Sequence, residues 1–269
     1  MTRQRLDEAV GRLQRRHGPA AVRWGGDPDP AAVWPTGIPV LDAVLPQGLP
    51  CGRIAVLTGE RGRATGRLTL LQALAARASQ SMEMAYVDLA GTLDPGFLAD
   101  LGADLDACYV VRPPRGALGP GLAMARTLVA AGVPWLAVAL GSAAGRERGW
   151  EHALSALVGV IQGRGAVACV SAPSPPAAPL AYASSLTAAC APLDWQLAHG
   201  DVIGLRMRLT VVKSKIGGVD GEVALLLRYP RPHAPAEVVG MPAVVEELPA
   251  QPAAAAVATP LPASPALAG

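Results

Sequence analysis

The sequence has almost no lysine: Lys213 and Lys215 are the only two, and every other base among its 23 is arginine. A GC-rich coding sequence produces that skew; the other reading is arginine's fit to phosphate oxygens. Charge of either sign is scarce as well. Asp, Glu, Lys and Arg make up 16% of 269 residues, with 23 bases against 21 acids. The resulting net charge of +2 excludes a histone-like binder held to a polyanion by bulk charge. Cysteine is limited to Cys51, Cys108, Cys169 and Cys190. They stand far apart, with no Cys-x-x-Cys and no nearby His pair, so neither a zinc site nor a dithiol redox motif can be written. This usage predicts buried, reduced thiols in a cytoplasmic protein, with no bound metal. Residues 1–16 are charged and amphipathic, unlike a secretory signal. His17, His152, His199 and His233 lack the Ser or Cys context of a nucleophilic triad.

One uncharged, mostly apolar run, residues 127–145, is long enough to cross a bilayer. Gly132 and Pro134 divide it into the end of a helix and a fully buried strand, so no membrane span is expected.

What the chain does have is apolar residues, 51% of the total, enough for a substantial core. Leu6, Val10 and Leu13 recur at helical spacing and predict an amphipathic helix over 3–17, followed by a linker rich in Gly, Asp and Pro at 24–35. A short helix is expected over 38–45. From residue 53 onward, strands (54–57, 84–88, 109–111, 135–140, 167–171) alternate with helices (68–78, 97–101, 118–131, 150–161). That alternation predicts an α/β fold: a mainly parallel sheet flanked by helices. After the loop 172–179, strand-like segments at 186–196, 205–213 and 222–229 predict an antiparallel hairpin closing the sheet. The chain thus divides into a leading helix and linker (1–34), a core (35–229), and a Pro/Ala-rich tail expected to be disordered (230–269).

Between the first core strand and its helix lies Gly59-Glu60-Arg61-Gly62-Arg63-Ala64-Thr65-Gly66-Arg67-Leu68-Thr69, where a phosphate loop belongs. The working motif G-x-x-x-x-G-K-[ST] cradles phosphates on backbone amides, neutralises them with lysine and holds magnesium through a hydroxyl. Counted from Gly59, Ala64 takes the second glycine position and Thr65 the lysine position. With Gly66 as the second glycine, Arg67 takes the lysine position and Leu68 the hydroxyl position. Neither frame restores the motif.

The surrounding text resembles the bacterial RecA recombinases over about residues 5–229. The segment RLQRRHGPAAVRWG at 12–25 is similar to the end of that family's leading helix. PTGIPVLDAVLPQGLPCGRIAVLTG at 35–59 resembles its approach to the phosphate loop. YVDLAGTLDPGFLADLGADLD at 86–106 and RMRLTVVKSKIGG at 206–218 match further family segments. The resemblance implies a RecA-like core. It also implies that Thr65, Ala90 and Ala139 replace the phosphate lysine, the water-activating glutamate and the magnesium-linked aspartate, leaving no catalytic residue. No cofactor is expected, and ATP is disfavoured. Gly59, Gly62, Thr65, Gly66 and Arg67 then form a vestigial phosphate loop. Phe97 matches the aromatic that stacks on adenine, with ordinary core packing as the alternative. Lys213 and Lys215 match lysines that reach a neighbouring subunit's nucleotide, with a solvated hairpin edge as the alternative. Arg146 and Arg148 fall in a shortened counterpart of a DNA-binding loop and are candidate DNA contacts.

A short, catalytically empty core of this kind resembles the ImuA-type proteins, RecA-related accessory factors of damage-induced mutagenesis. That resemblance implies a nucleoid-associated adaptor in SOS-type translesion synthesis, partnered by RecA or an error-prone polymerase. The alternative is a recombination mediator that binds nucleotide and single-stranded DNA without hydrolysis.

Overall fold

The computed structural model describes residues 3–17, 32–114, 117–141, 149–217 and 221–241. Helix α1 (Arg3–His17) precedes a two-stranded ribbon, β1 (Val33–Trp34) paired antiparallel with β2 (Leu49–Pro50), which encloses α2 (Pro39–Val44). Pro39 begins α2, where its missing N–H costs nothing. Asp42 braces the approach to it by accepting from the Thr36 amide at 2.9 Å and the Thr36 hydroxyl at 2.7 Å. The Thr36–Asp42 part of the RecA-like signature therefore has a structural use.

The core elements follow in order: β3 (Arg53–Glu60), α3 (Arg67–Ser79), β4 (Met84–Asp88), α4 (Pro95–Asp100), β5 (Cys108–Val111), α5 (Leu118–Ala131), β6 (Trp135–Ala139), α6 (Trp150–Arg164) and β7 (Val167–Ser174). Next come α7 (Ala178–Ala183), β8 (Ser184–Ala198), β9 (Asp201–Ser214), β10 (Glu222–Arg228) and β11 (Glu237–Met241). Nine strands make one sheet in the order β11-β10-β9-β8-β3-β7-β6-β4-β5. Strands β8, β3, β7, β6, β4 and β5 run parallel, whereas β9, β10 and β11 extend the sheet antiparallel. The expected fold class is observed.

Two apolar layers sandwich the parallel part. Leu70, Leu71 and Leu74 of α3 pack with Leu41 and Leu98 on one face, and Leu122, Val129, Leu154 and Ile161 of α5 and α6 on the other. Strands buried on both faces need no polar alternation, which is why β4 and β6 are buried at every position. Trp34 of β1 meets Trp135 of β6 edge-on, with ring centroids 5.5 Å apart.

The run 127–145 divides as expected: α5 ends on Gly132 in the left-handed region (φ 118°), and β6 starts at Trp135. Among the described residues no helix is long and apolar enough to cross a membrane.

Several boundaries differ from the sequence reading: β1 (Val33–Trp34) lies inside the linker expected at 24–35, and β8 and β9 run longer than the segments expected at 186–196 and 205–213. The expected loop at 172–179 instead contains the end of β7 and the start of α7. The sheet also continues past residue 229, because Val238 of β11 faces Leu227 of β10 and is buried with it. Residues 242–269 of the expected tail lie outside the described residues, as do residues 24–31 of the expected linker.

Candidate functional site

Strand β3 ends at the centre of the sheet, so the β3–α3 connection sits where open parallel sheets place ligands. Its concavity is filled from within. Thr65, only 2% exposed, turns its side chain toward Gly59 so closely that a Cβ there would stand 2.9 Å from the Thr65 Cβ and 3.0 Å from its Cγ2. Arg67 lies across the same turn and donates from Nη1 to the Thr65 hydroxyl at 3.2 Å. Its Nε is buried without a hydrogen-bond partner. Burial lowers the Arg67 guanidinium from its ordinary value, opposed by the Cys190 thiol midway along the neighbouring strand β8, opposite Gly59. That thiol is itself pushed up to about 12 by burial, with Arg67 pulling the other way.

Gly66 caps α3 in the left-handed region (φ 76°), and the antiparallel extension presses on it. A Cβ at Gly66 would stand 2.6 Å from Leu227, 2.8 Å from Met207 and 3.3 Å from Leu205. Gly62 also has positive φ (74°) but faces open space. Arg61 is exposed, and Arg63 pairs with Glu60 at 3.0 Å on the outside of the loop.

The ends of β4 and β6 border the same region. Ala139 is fully buried and sits between Asp88 and Ser171 in the sheet. Ala90 packs on the core, and Gly141 approaches it closely: a Cβ on Gly141 would stand 3.3 Å from the Ala90 Cα. The nearby acid, Asp88, is committed elsewhere. Its carboxylate accepts from the amides of Thr92 and Leu93, each at 3.0 Å, and Arg112 stands 3.8 Å away. Among the described residues no group of three His, Cys, Asp or Glu side chains is placed to hold a metal ion.

The profile of the RecA N-terminal domain family matches residues 4–145, more than half of the chain. The chain belongs to that family. Its relatives include the RecA protein of Streptomyces ambofaciens, 35% identical over 115 residues, and that of Clavibacter michiganensis subsp. michiganensis, 37% identical over the same length. These alignments cover 41% of this chain and 30–31% of the relatives, so the chain spans under a third of the length of the curated relatives it matches. Among solved structures, the KaiC-like protein PH0186 from Pyrococcus horikoshii OT3 superposes with a TM-score of 0.57 at 18% identity, covering 79% of this chain and 100% of that one. At that identity the likeness concerns the fold.

The remaining candidates in this RecA-family chain are dispersed. Phe97, half-buried in α4, tilts against Tyr229 with ring centroids 6.5 Å apart. Lys213 and Lys215 lie beside the amino-terminal end of β3, because Leu186 pairs with both Ala55 and Ser214. The loop at Gly59–Gly66 is at the other end of the strand. Both ammonium groups bond to the end of α7: Lys213 donates to Ala181 O and to Ser184 Oγ (3.1 Å), and Lys215 to Tyr182 O (2.6 Å). Lys215 also stands over the Tyr182 ring, 5.1 Å from its centroid. Burial, then the neighbouring charge of Lys215, lowers the Lys213 ammonium. Both the inter-subunit and hairpin-edge readings thus omit a local duty, neutralising the carbonyls of a helix C-terminus. Arg146 and Arg148 lie outside the described residues. Sequence reasoning also missed the Arg67–Cys190 proximity and the approach of Gly141 to Ala90, since neither has a local sequence signal.

Proposed function

We propose that this chain is a non-catalytic, RecA-like accessory protein of bacterial DNA repair and damage-induced mutagenesis, working by association with RecA or an error-prone polymerase assembly. The observation that carries the reading is Thr65 folded against Gly59, with Arg67 bonded to it. Phosphoryl transfer depends on positioned positive charge, a metal partner and an oriented water. Here the lysine position holds a threonine that fills the concavity. The glutamate position holds Ala90, closed off by Gly141, and the aspartate position holds buried Ala139. These residues do not fit a nucleoside triphosphate with magnesium. What remains is a stable scaffold with surfaces.

A sharper version has the chain add to one end of a RecA filament, with Lys213 and Lys215 reaching a neighbour's nucleotide. Both lysines would first have to leave the α7 carbonyls.

The test is binding of a fluorescent ATP analogue, and separately of single-stranded DNA, to the purified chain with and without RecA and magnesium. The expected result is no saturable binding of either alone and association when RecA is present. Tight independent binding of nucleotide or DNA would replace this reading with that of a mediator, with the arginines of the loop serving as phosphate contacts.

A further inference from the structure

We infer that a cleft at the amino-terminal end of β3 binds a small organic anion, a carboxylate or phosphate carried on a compact apolar body. The cleft encloses about 500 Å3 between the start of β3, the last turns of α6 and the end of α7. That volume falls within the range of small-molecule sites, about 300–1,000 Å3. It stands at the opposite end of β3 from the Gly59–Gly66 loop, and the inference does not rest on the accessory-protein reading. Ser185 lines the cleft and is only 6% exposed, yet its hydroxyl has no hydrogen-bond partner among the described residues. A register shift puts it there: Ile54 pairs with Ser184 and Ala55 with Leu186, so Ser185 is the extra residue of a bulge, a device that re-aims a side chain.

The charges of the lining select the ligand. Arg53 and Lys215 line the same cleft, and no carboxylate stands among its lining residues. Both cations already have local duties and both have donors to spare. Lys215 gives one N–H to Tyr182 O, leaving two. Arg53 is engaged as well, but a guanidinium carries five N–H donors. An anion therefore meets two positive groups and an unsatisfied hydroxyl, whereas a cation is repelled and a neutral ligand leaves the charges unanswered. The apolar side chains of Ile54 and Val158 complete the wall and accept the body of the ligand. A bare inorganic ion would leave that wall uncovered.

Cys51 lines the cleft and half-buried Cys108 does not, so one thiol reports occupancy and the other serves as its control. The experiment follows alkylation of both by uncharged iodoacetamide in the full chain, titrated with phenyl phosphate, benzoate or neutral benzyl alcohol, with calorimetry as a second readout. The expected result is saturable slowing at Cys51 by one or both anions, at an unchanged Cys108 rate, and none by benzyl alcohol. The better of the two anions identifies the headgroup. Arg53→Gln and Ser185→Ala should each weaken anion binding about fivefold or more. Gln162→Trp, at an exposed position on the cleft wall, should fill the space and abolish the calorimetric signal. Urea midpoints check that each variant is folded. Absence of saturable protection by either anion overturns the site, as does equal slowing at Cys108. Equal protection by benzyl alcohol, or anion affinity unchanged in both Arg53→Gln and Ser185→Ala, overturns its selectivity for anions. Lys213 and Lys215 stay intact in every variant, so either outcome leaves the association with RecA to its own test.

Discussion

Thr65 accepts a hydrogen bond from Arg67 at 3.2 Å, so the residue in the lysine position of a phosphate loop serves its own arginine. Restoring the lysine alone should not restore chemistry. Thr65→Lys is expected to release phosphate from ATP no faster than a protein-free blank, with or without magnesium and single-stranded DNA, because Ala90 and Ala139 supply neither base nor metal partner. Thr65→Ala removes the acceptor of a half-buried guanidinium. It should cost about 1–3 kcal/mol in urea unfolding.

The two left-handed glycines of the loop should respond differently to alanine. Gly62→Ala carries only the backbone penalty, about 1–2 kcal/mol, since a Cβ there meets nothing within 4 Å. Gly66→Ala adds contacts of 2.6 and 2.8 Å with Leu227 and Met207. Its loss of stability should exceed that of Gly62→Ala, and hydrogen exchange should rise in β9 and β10 as well as in the loop.

The thiols make stability fall at alkaline pH. Cys190 titrates near 9.0 when unconstrained and is pushed up to about 12 in the folded protein, so the native state holds its proton more tightly. That contribution is complete below about pH 9 and is lost as pH rises toward 12. Burial pushes Cys169 and Tyr86 up as well. The urea midpoint should therefore be flat from pH 7 to 8.5, fall above 9, and fall less steeply in Cys190→Ala. At pH 8 a thiol reagent should modify half-buried Cys51 and Cys108 first, and reach Cys169 and Cys190 only on unfolding.

Truncation should place the end of the core. A chain ending at Met241 retains β11 and should keep the full urea midpoint. Ending at Tyr229 removes Val238, the cross-strand neighbour of buried Leu227, and should lower the midpoint and promote association through the exposed edge of β10.

The fold was legible in the sequence wherever apolar runs were long and bounded. Met84–Asp88 and Leu118–Ala131 occupy the residues their pattern predicts, and Gly132 marks the break in the longest run. Strand β11 escaped because its five residues follow a Pro-rich turn and resemble the tail beyond them. Helix α7 escaped because Ala178–Ala183 has no periodic stripe, and with it went the local role of Lys213 and Lys215. For the candidate site, position along the loop was readable but direction was not. Thr65 could be counted into the lysine position, yet its inward turn depends on Gly59 having no side chain to oppose it, and on Arg67 being held by burial beside Cys190.

The edge-on meeting of Trp34 and Trp135 supplies an optical reporter. Trp34 belongs to the short ribbon ahead of the core and Trp135 to its centre, so near-ultraviolet ellipticity from the pair records whether the entry segment is seated. Replacing Trp34 with phenylalanine would isolate that signal, letting the seating of the β1–β2 ribbon on the core be followed without a dye.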